Sequence, residues 1–464
     1  MRDLSALIKA YDVRGVVPDQ WGPELAQQVG TAFVEVLGIR SADGGAGRIV
    51  VGHDMRPTGP DLVAAFINGV TAAGVDVINI GLCSTDGLYF ASGRLDIPGA
   101  MFTASHNPAE YNGIKMCRAG AAPVGQDSGL ADIRIMLETE EFPAYDGPVG
   151  TATAQDMLAD YAQHLRSLVP LENSRELSVV IDTGNGMGGF TVPAVLGGQV
   201  LPALPLQIDE MYFELDGSFP NHEANPIDPE NLRDLQKRVV EVGADIGLAF
   251  DGDADRCFVV DEKGGIVDPS TLTSLIATRE LAKHPGSTII HNLITSKSVP
   301  EIVTENGGVP VRTRVGHSFI KATMAETGAV FGGEHSGHFY FRDFWKADSG
   351  MLAAMHALAA LGETPVGTSL STLLTPFSRY ISSGEINTKV TDAKAVTANI
   401  EKVFTARGAQ FDTLDGLTVT GPNWWFNVRA SNTEPLLRLN VEGDDTAAME
   451  AIRDEVLALM KDEI

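Results

Sequence analysis

Pro98-Gly99-Ala100-Met101-Phe102-Thr103-Ala104-Ser105-His106-Asn107-Pro108 decides how this chain is read. Its first half is small and β-favouring, the pattern of a short buried strand. Its second half sets a serine among a histidine, an asparagine and a proline. Proline disfavours helix at the residue before it, so Asn107-Pro108 is a strong turn signal. Ser105 is therefore expected at the carboxyl end of a strand, on a tight loop, where α/β sheets bind ligands. A serine in a turn is common, and a Ser-His pair alone says little. The weight of Ser105 comes from the rest of the chain.

Working outward, residues 48–54 read as a strand, and residues 75–80 as another. Between them Leu62, Val63, Phe66, Ile67 and Val70 form a helical stripe. Such alternation implies a largely parallel sheet covered by helices. Upstream, Tyr11 and Arg14 stand beside Gly15, in a turn that faces either a phosphate or the surface. Downstream, Asn112-Gly113 is the strongest hairpin-turn dipeptide and predicts a turn there. Lys115 follows it, either as a solvated strand residue or as a cation looping back over Ser105.

The chain has 464 residues, too many for one core, and suggests three or four domains. Its formal net charge of -27 argues against nucleic acid or an anionic membrane as the main partner. An anionic substrate must then be captured by local positive groups. No apolar stretch is long enough to span a membrane, and Met1-Arg2-Asp3-Leu4 lacks a signal peptide's apolar core. Cys83, Cys117 and Cys257 fit neither a disulfide framework nor zinc spacing. A cytoplasmic location is expected.

A Pro- and Gly-rich stretch at 141–150 marks a domain boundary. A second α/β unit begins with a strand at 177–182 and a glycine-rich turn, Thr183 to Gly189. That turn lacks dinucleotide spacing; its glycines are expected to allow a tight turn and close helix packing. Asp228-Pro229 opens a helix. The strand at 244–250 then runs into Asp251-Gly252-Asp253-Ala254-Asp255-Arg256. Read as a strand, Asp251, Asp253 and Asp255 share one face. Three unpaired carboxylates repel one another, so a cation is implied, and hard oxygen ligands select magnesium, manganese or calcium over zinc. An EF-hand loop is excluded because its sixth position, which needs glycine, is Arg256.

A third α/β unit has strands at 287–294, 309–315 and 329–331. The second ends at Gly316-His317-Ser318. The third ends at Gly333-Glu334-His335-Ser336-Gly337-His338, which packs hydrogen-bonding groups between glycines as a sugar-hydroxyl site requires. Pro365 and Pro376 mark the passage to a last unit, read as an antiparallel sheet with helices on one face. Met449, Ile452, Val456 and Leu459 line its final helix. Between its strands lies Arg429-Ala430-Ser431-Asn432-Thr433-Glu434-Pro435, with Arg438 beyond, a set suited to a phosphate monoester.

Four loops of this kind, in this order, resemble the signature loops of the α-D-phosphohexomutases, and the likeness covers essentially the whole chain. The sugar loop resembles that of the phosphomannomutase/phosphoglucomutase branch. The resemblance implies an α/β fold of three successive mixed-sheet domains (1–148, 149–258 and 259–372) and a C-terminal α+β domain (373–464) around a central cleft. It implies an isomerase that interconverts mannose 6-phosphate and mannose 1-phosphate through a phosphoserine and a hexose 1,6-bisphosphate, accepting glucose phosphates too. Ser105 would carry the phosphoryl group. Asp251, Asp253 and Asp255, with a phosphoserine oxygen, would hold one Mg2+. Lys115 and Arg256 would steady the transferring group, with Arg14 and His338 in catalytic roles. Glu334 and Ser336 would bond sugar hydroxyls, and Arg429, Ser431, Asn432, Thr433 and Arg438 would grip the other phosphate. Tyr11 and His317 would touch substrate. Hexose 1,6-bisphosphate is the implied activator, and the chain is expected as a monomer or homodimer. A phosphoglucosamine mutase is the alternative within the family, a non-catalytic sugar-phosphate sensor the alternative outside its chemistry. The chain departs from its relatives at Ile294, where many have lysine, at His335, where many have methionine, and at Cys83-Ser84-Thr85-Asp86, where a Thr-Pro step is usual.

Overall fold

The computed structural model describes residues 3–40, 47–430 and 436–461. It divides into two compact units, Met1–Val267 with Ser336–Leu373, and Asp268–His335 with Leu374–Ile464.

In the first unit, apolar strands flanked by amphipathic helices build two mixed sheets. One has the strand order Val13–Val16, Tyr111–Arg118, Gly99–Phe102, Arg48–His53, Asp76–Leu82, Ala152–Ala154. Gly99–Phe102 is buried throughout and runs parallel to Arg48–His53, so its carboxyl end carries Ser105 as expected. Its other neighbour, Tyr111–Arg118, is antiparallel, which makes residues 103–110 the connecting loop of a hairpin. This corrects the turn expected at Asn112-Gly113. Both residues lie inside Tyr111–Arg118. Gly113 serves close approach instead: a Cβ there would come 2.3 Å from the Val13 carbonyl oxygen and 2.8 Å from that of Thr103.

The second sheet has the order Ile266–Val267, Cys257–Asp261, Ile246–Phe250, Leu177–Asp182, Leu206–Met211. Cys257–Asp261 runs through the domain edge expected at 258/259, and its hairpin partner Ile266–Val267 stays in this sheet. Residues 251–255 are a turn between antiparallel strands, not the extended run expected. The Ala254 N–H donates to the Asp251 carbonyl (3.0 Å), and Ala254 has φ 59°. The glycine-rich turn packs as read, since a Cβ at Gly186 would meet the Gly252 carbonyl oxygen at 2.7 Å. Asp228 caps a short 3-10 turn, Pro229–Leu232, that leads into the helix Arg233–Val242. Also in this unit, the hairpin Phe339–Phe341/Ala347–Asp348 precedes the buried helix Gly350–Gly362.

In the second unit, Thr288–Asn292 pairs in parallel with Val309–Thr313 and Phe331–Gly333. The first of these ends two residues before Ile294, so that residue follows the strand. The C-terminal sheet is wholly antiparallel, in the order Ile381–Lys389, Leu436–Gly443, Trp424–Ala430, Leu417–Thr420, Gln410–Asp412. Helices Ala393–Thr405 and Thr446–Lys461 share a core with it through Ile400, Phe404, Phe426, Leu439 and Val456. Met460, rather than Leu459, completes the buried face of the last helix. The architecture is α/β, with an antiparallel α+β end.

Candidate active site

Ser105 and the three aspartates meet in the first unit. Each is at most 2% exposed. Ser105 has φ 51°, in the left-handed region, and its N–H donates to Thr103 Oγ1 (2.8 Å). Its hydroxyl donates to Asp251 Oδ2 (2.9 Å) and accepts from Arg256 Nη2 (3.1 Å). The turn at 251–255 curls so that the Asp251 carboxylate also receives the Arg256 N–H (3.2 Å), and the Arg256 Nε lies 3.1 Å from Asp251 Oδ2. Gly252 is obligatory here, because a Cβ would come 2.4 Å from the Ser105 carbonyl oxygen.

Lys115 reaches the cluster from the strand paired with the serine strand. Its Nζ lies 2.7 Å from Asp253 Oδ2 and 2.6 Å from Asp255 Oδ2, so it pairs with two of the aspartates rather than lying as a solvated strand residue. Arg14 donates to Asn107 Oδ1 (2.7 Å) and Asp12 Oδ2 (2.5 Å), at the rim of the serine loop. His338 Nδ1 sits 3.0 Å from Asp348 Oδ2 and 3.8 Å from Asp255 Oδ1. Tyr11 and Ser336 are half-buried residues of the same unit.

The electrostatics are those of crowded carboxylates in a dry place. Burial, and then the Asp255 charge, push the Asp251 carboxyl up to about 7. Burial acts the same way on Asp253, but Lys115 and a Thr85 hydrogen bond (2.6 Å) outweigh it and hold that carboxyl below its usual range. The Arg256 charge, with burial, drives His106 down to about 2, so this imidazole is neutral. It is in contact with Arg256.

Three carboxylate oxygens, one from each aspartate, lie within 4.8 Å of one another. Asp253 Oδ1 and Asp255 Oδ1 are buried without a hydrogen-bond partner among the described residues. Unsatisfied buried oxygens are costly. A hard divalent cation fits this donor set, and it would satisfy both.

In the second unit, Glu334 is 2% exposed and its Oε1 accepts from the Gly316 N–H (3.2 Å) and Asn292 Nδ2 (3.4 Å). Arg429 and Arg438 are cross-strand neighbours. Glu385 lies 3.4 Å from Arg429 Nη2 and 3.6 Å from Arg438 Nη1, and Asp415 lies 3.9 Å from Arg429 Nη1. Both guanidiniums thus have carboxylate partners, and adjacent guanidiniums are also groups of a type suited to planar anions. His317 begins the helix His317–Thr327, but its side chain lies outside what is described, as do Ser431, Asn432 and Thr433 entirely.

The sequence reading missed Thr85, Asp348 and the buried pair Asp54 and Arg56. Thr85 follows the helix cap Ser84 in a stretch read only as a departure from the family, and Asp348 ends a short buried hairpin with no motif around it. Asp54-Met55-Arg56-Pro57 carried a weak signal, opposite charges directly after an apolar strand.

Fold and cluster thus define a multidomain α/β protein with a buried serine set beside three aspartates that could hold a metal ion. The sequence matches, in chain order, the phosphoglucomutase/phosphomannomutase alpha/beta/alpha domain I (residues 5–143), domain II (159–265), domain III (268–380) and the C-terminal domain (385–459). A phosphomannomutase of Escherichia coli is 40% identical over 458 residues, 98% of each chain. A protein described as phosphohexose mutases, from Xanthomonas campestris pv. campestris, is 39% identical over 456 residues, again 98% of each. The crystal structure of a phosphoglucomutase/phosphomannomutase family protein from Burkholderia thailandensis aligns with a TM-score of 0.87 at 31% identity, over 100% of this chain and 98% of that one. The chain belongs to the phosphoglucomutase/phosphomannomutase family. It is a mutase, an enzyme of the isomerase class.

Proposed function

We propose that the enzyme interconverts mannose 6-phosphate and mannose 1-phosphate, accepts the corresponding glucose phosphates, and carries the phosphoryl group on Ser105. The observation that carries this reading is the buried Ser105 hydroxyl, bonded at once to a carboxylate and a guanidinium beside two carboxylate oxygens that have no hydrogen-bond partner among the described residues. A serine that served packing alone would not need that surrounding.

Starting from mannose 1-phosphate, the sugar's 6-hydroxyl attacks the phosphorus on Ser105. The new P–O bond to the sugar forms as the P–O bond to serine breaks, and His338 takes the hydroxyl proton. The bisphosphate turns over, and Ser105 receives the phosphoryl group from the 1-position. Such transfers need alignment and charge neutralisation more than covalent help. Arg256 and Lys115 supply fixed positive charge at the serine. Asp251, Asp253, Asp255 and the Ser105 oxygen would hold one Mg2+, which when bound neutralises charge on the transferring oxygens. Hexose 1,6-bisphosphate activates by loading an empty Ser105. Glu334 and Ser336 are assigned to sugar hydroxyls. Arg429 and Arg438, with Ser431, Asn432 and Thr433, are assigned to the non-reacting phosphate, and Tyr11, Arg14 and His317 to substrate contact. Among the described residues no helix is long and apolar enough to cross a membrane. We place the enzyme in the cytoplasm.

A coupled assay with Mg2+ and a trace of hexose 1,6-bisphosphate, comparing mannose, glucose and glucosamine 1-phosphates, tests the proposal. Turnover of the first two, lost with EDTA, is expected. Turnover of glucosamine 1-phosphate alone would overturn the sugar assignment. No turnover of any would favour a sensor.

The His338 geometry adds a pH prediction. Burial opposes its charged form, but the Asp255 charge and the Asp348 hydrogen bond outweigh burial and raise it above the ordinary imidazole value. Asp348→Asn removes one support of the charged form, so His338 must then lose its proton at lower pH. The limb of the kcat profile that follows His338 is expected to move to lower pH in this variant. Superimposable profiles would remove His338 from proton transfer.

A further inference from the structure

We propose that Arg56 is a positioning residue, whose guanidinium fixes the backbone of the Ser105 loop and thereby sets where the phosphoryl carrier sits. The proposal rests on the reading of Ser105 as that carrier.

Arg56 is 1% exposed, and among the described residues its ion-pair partner is Asp54, which lies outside the serine and aspartate cluster. Its Nη1 donates to the carbonyls of Pro108 (2.7 Å) and Tyr111 (2.8 Å). Its Nη2 donates to those of Ser105 (2.9 Å) and Asn107 (2.6 Å). One rigid fork of donors thus takes four carbonyl oxygens from a stretch of seven residues. Lysine, with a single ammonium, cannot reproduce that planar fork.

The fork is itself anchored outside the loop. Asp54 follows the strand Arg48–His53, and its N–H donates to the Phe102 carbonyl (3.0 Å). Its Oδ1 accepts the Arg56 N–H (2.9 Å), and its Oδ2 lies 3.3 Å from the Arg56 Nε. The Phe219 ring covers the guanidinium at 5.2 Å, and the Arg56 backbone backs onto Gly217, where a Cβ would come 2.8 Å from the Arg56 Cα. A cation pinned to one strand therefore holds the loop that leaves the neighbouring strand.

The loop needs holding. Ser105 sits at φ 51°, in the left-handed region that L-residues disfavour. Its carbonyl is grasped by Arg56 on one side and packed against Gly252 on the other. Loss of the fork frees four carbonyls and lets the peptide at Ser105 relax, which shifts Oγ relative to Asp251 and Arg256.

The test uses Arg56→Lys and Asp54→Asn in the full chain. Melting temperature, kcat and KM are measured on mannose 1-phosphate, along with the phosphate on the Ser105 peptide by mass spectrometry after loading with glucose 1,6-bisphosphate. A small misplacement of reacting groups costs about 100-fold in rate, so a kcat loss of that order is expected for Arg56→Lys at a KM within about threefold of wild type. Asp54→Asn, which keeps the fork but loosens it, is expected to lose about tenfold in kcat with the same KM. A folded Arg56→Lys with wild-type kcat, or one whose loss lies in KM, would overturn the proposal. If Arg56→Lys does not fold, Asp54→Asn decides by the same split. Unlabelled Ser105 in the wild type would instead overturn the phosphoserine reading itself.

Discussion

Ser105→Ala is expected to lower mannose 1-phosphate turnover by at least about four orders of magnitude, because loss of the proposed covalent nucleophile would remove the reaction path rather than one contribution to it. The fold survives the change. The hydroxyl contributes two hydrogen bonds to charged partners, Asp251 and Arg256, which also hold each other. Its removal leaves no buried charge alone. The melting temperature is therefore expected to stay within a few degrees of wild type, and binding of the sugar phosphate to persist. Steady-state kinetics with scanning calorimetry on the same sample separate the two effects. A stable Ser105→Ala enzyme that keeps even a tenth of the activity rules out the serine path.

Asp253→Asn has the second largest expected effect. The change keeps shape and removes one charge from a fully buried carboxylate that accepts from Lys115 and Thr85. The amide cannot serve as an anionic ligand: Lys115 and Thr85 both donate to Oδ2, so an amide oxygen kept there puts the NH2 group, a donor, where Oδ1 would face the cation. Turnover is expected to fall by about a thousandfold, in line with losses of preorganised electrostatic groups. Calorimetric titration with Mg2+ should show the binding heat of the wild type greatly weakened or gone. Wild-type Mg2+ affinity in this variant would remove Asp253 from the cation site.

Much of this site was legible because its chemistry is local in sequence. Asp251, Asp253 and Asp255 are crowded into five residues, and no apolar packing role explains them. Ser105 is framed by a buried strand and an Asn-Pro turn. The antiparallel end of the chain announced itself by a change in pattern after Pro376. The errors were local ones too. Asn112-Gly113 carries the dipeptide of a hairpin turn, but strand pairing with Val13–Val16 and Gly99–Phe102 overrode it. The aspartates were expected on a strand face, and a tight turn brought them together by another route. The rest was hidden by distance along the chain. Lys115 finds Asp253 across 138 residues, and Thr85 finds it across 168. Arg56 serves backbone carbonyls, which every sequence has, so no side-chain pattern could point to its partners.

The most direct test is a single-turnover chase. Enzyme labelled with 32P on Ser105 is mixed with excess mannose 1-phosphate plus Mg2+ and quenched over milliseconds to seconds. Label is expected to leave the protein at least as fast as kcat and to appear in hexose bisphosphate and then hexose phosphate. Label that stays on the protein through many turnovers, or that leaves only as inorganic phosphate, would contradict the proposed serine path.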